Sequence, residues 1–396
     1  MPMLVLAENH IKQGRLPVKA IAGPSPAKVP AGARLPVADN QVLDLSGMSH
    51  THVAIPNIVE SLEWASALLG SVKILNLISG EIKSLKGMPS MNSLEELTIS
   101  ANIADLRGLP AALPSLRRLY LDGCKMLESL KGMSELPKLK ELIIRAPVTS
   151  LEGMPATLVS LKDLTLGDIC LLTTLKGLPY LPNIQKLVLS PEIREPGISG
   201  ARMASLLELD MRQCSFFDAR DLLHQLPKLR SLLPPQSIDN FSWLPRTIPS
   251  LRVLDLNTCR VLTSVEGLPD MPNLETLSLP NELKSMHGLP SVLPRLKSLC
   301  FNKGSRTSGN LFQGFPHMPA LQHLNLLSEP HSFRGLPSTL EALTVLEVSG
   351  LKSIDGLPYM PNLRELILNG HYPQAYARRQ LMNSIQAYRP SLHVRQ

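Results

Sequence analysis

A short apolar pattern recurs along this chain at almost constant spacing. Leucine or a similar residue occupies positions 1, 4 and 6 of a six-residue segment, as in Leu94, Leu97 and Ile99. From Leu94 onward, successive copies are 22, 23, 22, 23, 22, 23, 22, 23, 22, 25, 22 and 20 residues apart. The copies start at Val72, Leu94, Leu116, Leu139, Leu161, Ile184, Leu206, Leu229, Leu251, Leu274, Leu296, Leu321, Leu343 and Leu363. A fixed period of this length is the signature of a stacked repeat protein, and the alternation predicts a 45-residue double unit.

Each copy predicts a short β-strand, because alternate residues of a strand point to opposite faces. The apolar residues at positions 1, 4 and 6 then enter the core, and successive strands stack at about 4.8 Å. Only 4% of the residues are aromatic, whereas 44% are hydrophobic, so the core is built from Leu, Ile, Val and Met in thin layers. No unit can bury its apolar edge alone, and stability therefore comes from its neighbours.

The outer half of each unit carries glycine and proline at fixed places. Glycine recurs ten times at one register, at Gly87, Gly108, Gly132, Gly153, Gly177, Gly267, Gly288, Gly314, Gly335 and Gly356. Such repetition indicates a positive φ or a tight approach of the next unit. The proline that often follows, as in Pro110, prevents long helices. We therefore expect extended or 3₁₀ segments on this side, and gentle curvature.

These units resemble the leucine-rich-repeat superfamily over roughly residues 41–390. The 22-residue units are similar to short internalin-like repeats, and the 23-residue units, with Cys before L-x-S-L, resemble repeats of plant immune receptors. The resemblance implies an α/β-type, right-handed curved solenoid of about 14–15 repeats, with a parallel sheet on the concave face and an extended or 3₁₀ convex side. It also implies protein binding, and the chain is similar to free-standing repeat proteins that act as bacterial effectors.

Four segments follow from this organisation. Residues 1–40 are predicted to be a disordered, basic leader, since they are rich in Pro, Ala and Lys without periodicity. Residues 41–70 form an N-terminal cap with a degenerate strand at 42–45 and a helix at 56–69. Residues 71–370 are the repeats. Residues 371–396 form a C-terminal capping helix, placed at 373–388, and a tail.

The net charge of +7 lies entirely in the two tails. Residues 1–40 carry a net +3 and residues 371–396 a net +4, so the repeats between them are neutral. A basic patch on the fold is therefore not expected, and neither is nucleic-acid binding. No apolar run approaches the roughly 18 residues of a membrane span, and no secretory signal is recognised. We expect a monomeric protein of a reducing cytoplasm or, for an effector, of the host cytosol.

The five cysteines follow the double unit. Cys124, Cys214 and Cys259 occupy the ninth position of long units, and Cys170 the tenth. Successive cysteines lie two strands apart in the stack, where each strand with its turn forms one rung. The distance of about 9–10 Å between them exceeds the reach of a disulfide. The spacing fits no zinc motif. We predict buried structural thiols in place of the usual Asn, as at Asn102, whereas Cys300 is expected at an outward sheet position.

The outward face of the predicted sheet carries rows of opposite charge. The position after the first leucine is basic in eight of fourteen units, and the next residue is often acidic. These rows could simply pair with one another, or they could bind a partner protein. The candidate contact residues are Arg117, Arg118, Tyr120, Lys140, Lys162, Asp210, Arg230, Arg252, Asp255 and Lys297, together with Arg306 in the longer loop 303–309. Tyr120 with Arg117 and Arg118 is the preferred hot spot, because Tyr and Arg dominate such energies.

The repeat breaks at residues 190–204 and 215–224, and Trp243 and Phe241 replace the expected Gly and Leu. We favour the interpretation that the core packs differently here, with Phe216 and Phe217 nearby, over a role of these residues in binding. No P-loop, nucleophile elbow, zinc-protease or dinucleotide motif is present, so neither an enzyme nor a cofactor is predicted. The sequence favours a protein-binding scaffold, with a ubiquitin-ligase adaptor docking through residues 41–70 as the alternative. A third hypothesis is an enzyme that uses Asp210 and Asp255.

Overall fold

The computed structural model describes most of the repeat region. It covers residues 34–36, 42–44, 52–55, 69, 71–197, 200–214, 219–280, 282–301, 311–327, 330–350, 352–369, 375–387 and 389–395. The chain divides into two compact units. The first comprises residues 1–148 and 152–155, and the second comprises residues 149–151 and 156–396.

The first unit contains a parallel sheet whose strands follow chain order. Its strands are β3 (His52–Ile55), β4 (Ile74–Ser79), β5 (Glu96–Ala101), β6 (Arg118–Asp122) and β7 (Glu141–Arg145). A separate antiparallel pair joins β1 (Arg34–Pro36) to β2 (Val42–Asp44). The strand expected at 42–45 therefore exists, but its partner is a strand inside the segment expected to be disordered. The rung before the regular series is β3 instead, which pairs with β4.

The second unit continues the same arrangement, with each strand parallel to the next. Its strands are β8 (Asp163–Leu166), β9 (Lys186–Val188), β10 (Glu208–Asp210), β11 (Ser231–Leu233), β12 (Val253–Asp255), β13 (Thr276–Leu279), β14 (Ser298–Phe301), β15 (His323–Leu326), β16 (Val345–Ser349), β17 (Glu365–Asn369) and β18 (His393–Arg395). Equivalent residues lie opposite each other, as Leu209 does to Leu232. Strands β4 to β17 match the fourteen copies one for one, which confirms the prediction. Strand β18 is an additional rung that the pattern does not contain.

The core follows from the alternation along each strand. In β5 the buried residues Leu97 and Ile99 alternate with half-buried polar ones, and Leu94 just before the strand is also fully buried. Burying one leucine contributes about 1.5–3 kcal/mol. Several per rung are needed to offset the conformational entropy lost by about 20 residues. Stability therefore depends on a leucine layer that repeats in every rung.

The ten outer glycines all have positive φ, between 77° and 104°. At Gly108 a Cβ atom would also lie 2.5 Å from the carbonyl carbon of Leu85 and the nitrogen of Lys86, in the preceding repeat. Both reasons predicted for glycine are thus confirmed at this position. Gly267 differs, because a Cβ there would meet nothing within 4 Å.

The predicted 45-residue double unit appears as backbone pairing on the outer side. Glu135 donates its N–H to Ala111 at 3.0 Å, and Leu113 donates to Glu135 at 3.0 Å. Equivalent bridges join a short unit to the following long one at Ala112 and Glu135, Thr157 and Tyr180, Thr247 and Asp270, and Val292 and His317. A further bridge joins the 22-residue unit of Thr339 to the 20-residue unit of Tyr359. In the irregular pair, a 3₁₀ turn (Gly200–Met203) and the helix α1 (Arg220–His224) pack together instead.

Helix is scarce outside the end of the chain. Between strands β4 and β17 the described residues form turns, one 3₁₀ turn and the five-residue α1, as the prolines predicted. Helix α2 (Ala375–Gln386) lies within the predicted C-terminal cap, and its residues Leu381 and Ile385 are buried. Of the N-terminal helix predicted at 56–69, only the buried Leu69 is described. None of the described helices is long and apolar enough to cross a membrane.

Candidate interaction surface

The outward side chains of the strands form what we call the open face of the sheet. They occupy positions 2, 3 and 5 of each rung and alternate with the buried positions 4 and 6. The predicted contact residues Arg117, Arg118, Tyr120, Lys140, Lys162, Arg230, Arg252, Asp255 and Lys297 are exposed or half-buried there. Arg306 lies outside the described residues. Within each unit the open face therefore carries charged and polar side chains, together with half-buried apolar ones such as Ile143 and Val188.

In the first unit, oppositely charged side chains pair between rungs. Glu95 lies between Lys73, at 3.4 Å, and Arg117, at 3.7 Å. Glu96 accepts a hydrogen bond of 2.6 Å from Nε of Arg118, and this pairing raises the pKa of the arginine. The charged rows thus pair with one another here, which is one of the two interpretations that the sequence left open. It holds each charged side chain in one orientation.

Tyr120 lies at the centre of the same face. Its hydroxyl donates to Oε2 of Glu141, on the next strand, at 3.0 Å. Burial of the half-buried ring, together with this bond to a carboxylate, raises the pKa of Tyr120 to about 12. Arg118 stands two residues away on the same strand and is paired in the other direction, to Glu96. Arg118 and Tyr120 are therefore each held by a carboxylate of a neighbouring strand.

The second unit has its own charge ladder. Glu275 accepts bonds of 2.8 Å from both Lys297 and Arg252, on either side. The Lys297 bond is the main cause of the lowered pKa of Glu275. Lys186 pairs with Glu208 at 2.7 Å. These contacts are solvent-exposed, so they contribute little to stability and serve mainly to orient the side chains.

Asp210 is placed differently from what the sequence predicted. Its side chain is 7% exposed, because Arg212 covers it with bonds of 3.0 Å and 2.7 Å from Nε and Nη2. At this position the open face therefore exposes the guanidinium of Arg212, while the carboxylate of Asp210 is covered. Asp255 is half-buried and accepts the N–H of Asn257 at 3.1 Å. Strand β11 separates the strands of the two aspartates, so they share no hydrogen bond with which to act together.

Several basic residues of the open face remain unpaired. Lys140 in the first unit, and Lys162 and Arg230 in the second, are exposed. None of them has a carboxylate within 4 Å among the residues that the structure describes. The charge pairs thus involve only part of the face, and these three cationic groups remain unpaired.

The cysteines occupy the structural positions predicted for them. Cys124, Cys170, Cys214 and Cys259 are buried and Cys300 is half-buried, and all five are free thiols. Asn102 donates to the Gly80 carbonyl at 2.6 Å, and the Cys124 thiol donates to Ile99 at 3.1 Å. Cys therefore replaces Asn as a donor to the preceding repeat. Burial raises the pKa of Cys124 to about 11 and those of Cys214 and Cys259 to about 12.

The irregular aromatic residues belong to the core. Trp243 is 1% exposed and its Nε1 donates to the Asn240 carbonyl at 3.0 Å, while Phe241 is 3% exposed. Repacking is confirmed for both, whereas Phe216 and Phe217 lie outside the described residues. The sequence reading missed a groove beside Trp243, although the lost glycine marked its place. No group of three His, Cys, Asp or Glu suited to a metal occurs in the described parts.

Comparisons with known proteins returned structures only. No protein-family model and no curated protein match the chain. Among solved structures, TLR13 in complex with ssRNA13 shares 20% identity at a TM-score of 0.48, over 87% of this chain and 60% of that one. The internalin inlF of Listeria monocytogenes shares 18% at a TM-score of 0.44, over 84% and 91%. The circular LRR protein CroV588 shares 14% at a TM-score of 0.36, over 79% and 55%.

The repeat itself identifies the fold. Every copy of the L-x-x-L-x-L pattern forms a strand that is parallel to its described neighbours, and the leucines of each copy are buried. The ninth position donates to the preceding rung, and the outer glycines turn the chain with positive φ. By its own residues and hydrogen bonds, this chain has a leucine-rich-repeat fold.

Proposed function

We propose that this protein is a non-catalytic scaffold that binds a partner protein on the open face of its sheet. The carrying observation is that Arg118 and Tyr120 are exposed or half-exposed side by side and held by Glu96 and Glu141. Side chains that are already ordered lose less entropy on binding, which strengthens an interface. Tyr and Arg are also the residues that most often dominate binding energy.

The charge of the face supports a partner with an acidic patch. In the first unit, position 2 of successive rungs holds Lys73, Glu95, Arg117 and Lys140, and Lys140 has no acidic partner. A complementary acidic surface would steer association and fix the register of the complex. Because the groups are exposed, we expect the association rate to fall with ionic strength.

Affinity capture with the full chain as bait tests this proposal. The variant carrying Arg117→Glu and Tyr120→Ala should retain the captured partner at least about tenfold more weakly, since hot-spot losses reach about 2 kcal/mol or more. The matched control carries Lys131→Glu and Met126→Ala, at exposed positions outside the open face. It should bind like the wild type. Equal retention by both variants, or equal loss in both, would refute the open face as the binding surface.

Delivery into a host cell, as a bacterial effector, is the more specific form of this proposal. It is supported by the basic composition of residues 1–40, which carry a net +3. A translocation assay with a reporter fused after residue 40 should detect delivery that is lost when residues 1–40 are removed. The alternative is a substrate adaptor of a ubiquitin ligase, supported by the apolar periodicity at 56–69. In that case cullin-type subunits should be captured only when residues 41–70 are present.

A further inference from the structure

The charges of the second unit are unevenly distributed, although the repeats are neutral as a whole. Position 1 of each of its ten repeats is a buried Leu or Ile, just before a strand begins. We call the residues that immediately precede and follow position 1 in these repeats the basic edge. They include one acidic residue, Glu275, and seven exposed basic ones: Lys162, Lys228, Arg230, Arg252, Arg295, Lys297 and Arg364. Neutrality of the whole thus conceals a positively charged border along the start of the strands.

Most cations of the basic edge have no partner of their own. Arg252 and Lys297 both pair with Glu275, at 2.8 Å. Within the part of the chain that the structure describes, no ion pair or side-chain hydrogen bond is formed by the other five, which are Lys162, Lys228, Arg230, Arg295 and Arg364. These five can bind an anionic group without first breaking an existing bond.

The five unpaired cations occur at every third strand. Lys162 precedes β8, Lys228 and Arg230 precede β11, Arg295 precedes β14, and Arg364 precedes β17. At a strand spacing of about 4.8 Å, successive positions lie about 14 Å apart. In an extended polypeptide, residues four apart point to the same side and are separated by about 13–14 Å. A strand-like segment with an acidic residue at every fourth position therefore matches the spacing of these cations.

A nucleic acid matches this border less well. Phosphates follow one another about every 3.4 Å along a DNA strand, far more densely than the unpaired cations. Sites for single strands also supply aromatic side chains on which bases stack. No Phe, Tyr or Trp occurs at positions 2, 3 and 5 of these ten repeats. The leader of this chain is no better an occupant, because residues 1–40 carry a net +3.

We propose that the basic edge binds an extended segment of the partner protein that carries Asp or Glu at every fourth residue. Its carboxylates pair in turn with Lys162, with Lys228 and Arg230, with Arg295 and with Arg364. Arginine suits this role because its planar guanidinium binds a carboxylate through two parallel hydrogen bonds. Position 2 belongs to the open face, so this inference rests on the function proposed above and specifies the chemistry of the partner.

A pair of labelled peptides tests the spacing on the full chain. The nine strand intervals from Lys162 to Arg364 span about 43 Å, which an extended peptide of about 13 residues covers. The first peptide carries glutamate at every fourth position, separated by Ser, Thr and Val. The second has the same composition with its glutamates adjacent. Fluorescence anisotropy at low ionic strength should show at least about tenfold tighter binding of the spaced peptide.

Charge reversal tests the site itself. The variant carrying Arg230→Glu, Arg295→Glu and Arg364→Glu should bind the spaced peptide at least about tenfold more weakly than the wild type. The control carries Lys176→Glu, Arg260→Glu and Lys284→Glu, exposed residues of the same unit outside the basic edge, and has the same change in charge. It should bind like the wild type.

Several results would overturn the proposal. They are an absence of peptide binding, equal binding of the two peptides, and equal weakening by the two triple variants. Tighter binding of a single-stranded oligonucleotide than of the spaced peptide, lost in the Arg230, Arg295 and Arg364 variant, would replace the acidic segment by a nucleic acid.

The captured partner separates this inference from the function on which it rests. If Arg117→Glu with Tyr120→Ala releases the partner but reversal of Arg230, Arg295 and Arg364 does not, the inference fails and the proposed function stands. If only the reversal of these three arginines releases it, the cluster of Tyr120 fails as the hot spot and the basic edge stands.

Discussion

At the scale of single residues, the outer glycines show two different demands on the same residue type. Gly108 combines a φ of +104° with backbone of the preceding repeat 2.5 Å from its missing Cβ. Gly267 has a φ of +84° and open space. A positive φ alone costs a non-glycine residue roughly 1–2 kcal/mol. The clash at Gly108 must add to that cost, because backbone cannot move aside as a flexible side chain can.

We therefore expect Gly108→Ala to destabilise the protein more than Gly267→Ala. The free energy of unfolding should fall by about 1 kcal/mol for Gly267→Ala and by at least about twice that for Gly108→Ala. Urea denaturation measures both losses under the same conditions. Equal losses would mean that the close approach of Leu85 and Lys86 to Gly108 is not a feature of the protein in solution.

The buried thiols link stability to alkaline pH. Burial raises the pKa of Cys214 and of Cys259 from 9.0 to about 12, because it disfavours the thiolate. A group with a raised folded pKa stabilises fully below its unfolded pKa, and this stabilisation is lost as the pH rises through the window up to the folded value. The free energy of unfolding should thus fall between pH 9 and pH 12, by about 1 kcal/mol per thiol from pH 9 to pH 10.

Replacing Cys214 and Cys259 by Ala should flatten that fall, even though the variant is less stable at neutral pH. Urea denaturation at pH 9 and pH 10 measures the difference against the wild type. An identical pH dependence in the variant would show that these thiols are not buried as described. The control is Cys300→Ala, because Cys300 is half-buried whereas Cys214 and Cys259 are buried.

Residue-scale prediction from the sequence succeeded where one position repeats. The conformation of the outer glycines and the burial of the cysteines at the position equivalent to Asn102 could be predicted, because neighbouring units provide the comparison. Asp210 could not be read in this way. Alternation correctly placed it on the open face, but its burial depends on the conformation of Arg212, which periodicity does not specify. The groove beside Trp243 likewise depends on the path of the backbone where Trp243 replaces a glycine.

At the scale of elements, strands with the full apolar pattern were predictable and the end strands were not. Strands β4 to β17 each contain their own leucines. Strands β3 (His52–Ile55) and β18 (His393–Arg395) lack the pattern and form because an adjacent strand edge offers unpaired N–H and C=O groups. The pairing of β1 with β2 is local and antiparallel, so the period of the repeats carries no information about it.

Helix α2 lies between strands β17 and β18 in the chain, and we propose that it caps the leucine layers. Leu381 is fully buried on this helix, while Arg379 is exposed. Leu381→Ala should lower the free energy of unfolding by about 2–5 kcal/mol, as for other buried leucines, and Arg379→Ala by less than about 0.5 kcal/mol. Thermal or urea denaturation measures both. Similar small effects would contradict the role of α2 as a cap that stabilises the adjacent rungs.

At the scale of the whole molecule, the distribution of charge separates the tails from the repeats. The net +7 resides in residues 1–40 and 371–396. On the open face, exposed pairs such as Lys297 with Glu275 contribute little stability, so their effect is on the orientation of side chains. The same strands thus bury leucines for stability and expose polar side chains on the open face, where we propose that a partner binds.

Lysine acylation tests most directly whether the open face binds a partner. Mass spectrometry would compare the acylated lysines of the free chain with those of its captured complex. Lys73 and Lys140 in the first unit and Lys162 and Lys297 in the second are exposed on this face. Lys86, Lys131 and Lys176 are equally exposed but lie in the outer glycine turns. We expect the complex to protect lysines of the first group and to leave the second group reactive. Protection should be strongest at Lys140, which precedes Glu141, the hydrogen-bond partner of Tyr120. Protection of the outer lysines with unchanged reactivity on the open face would contradict the function proposed for this protein.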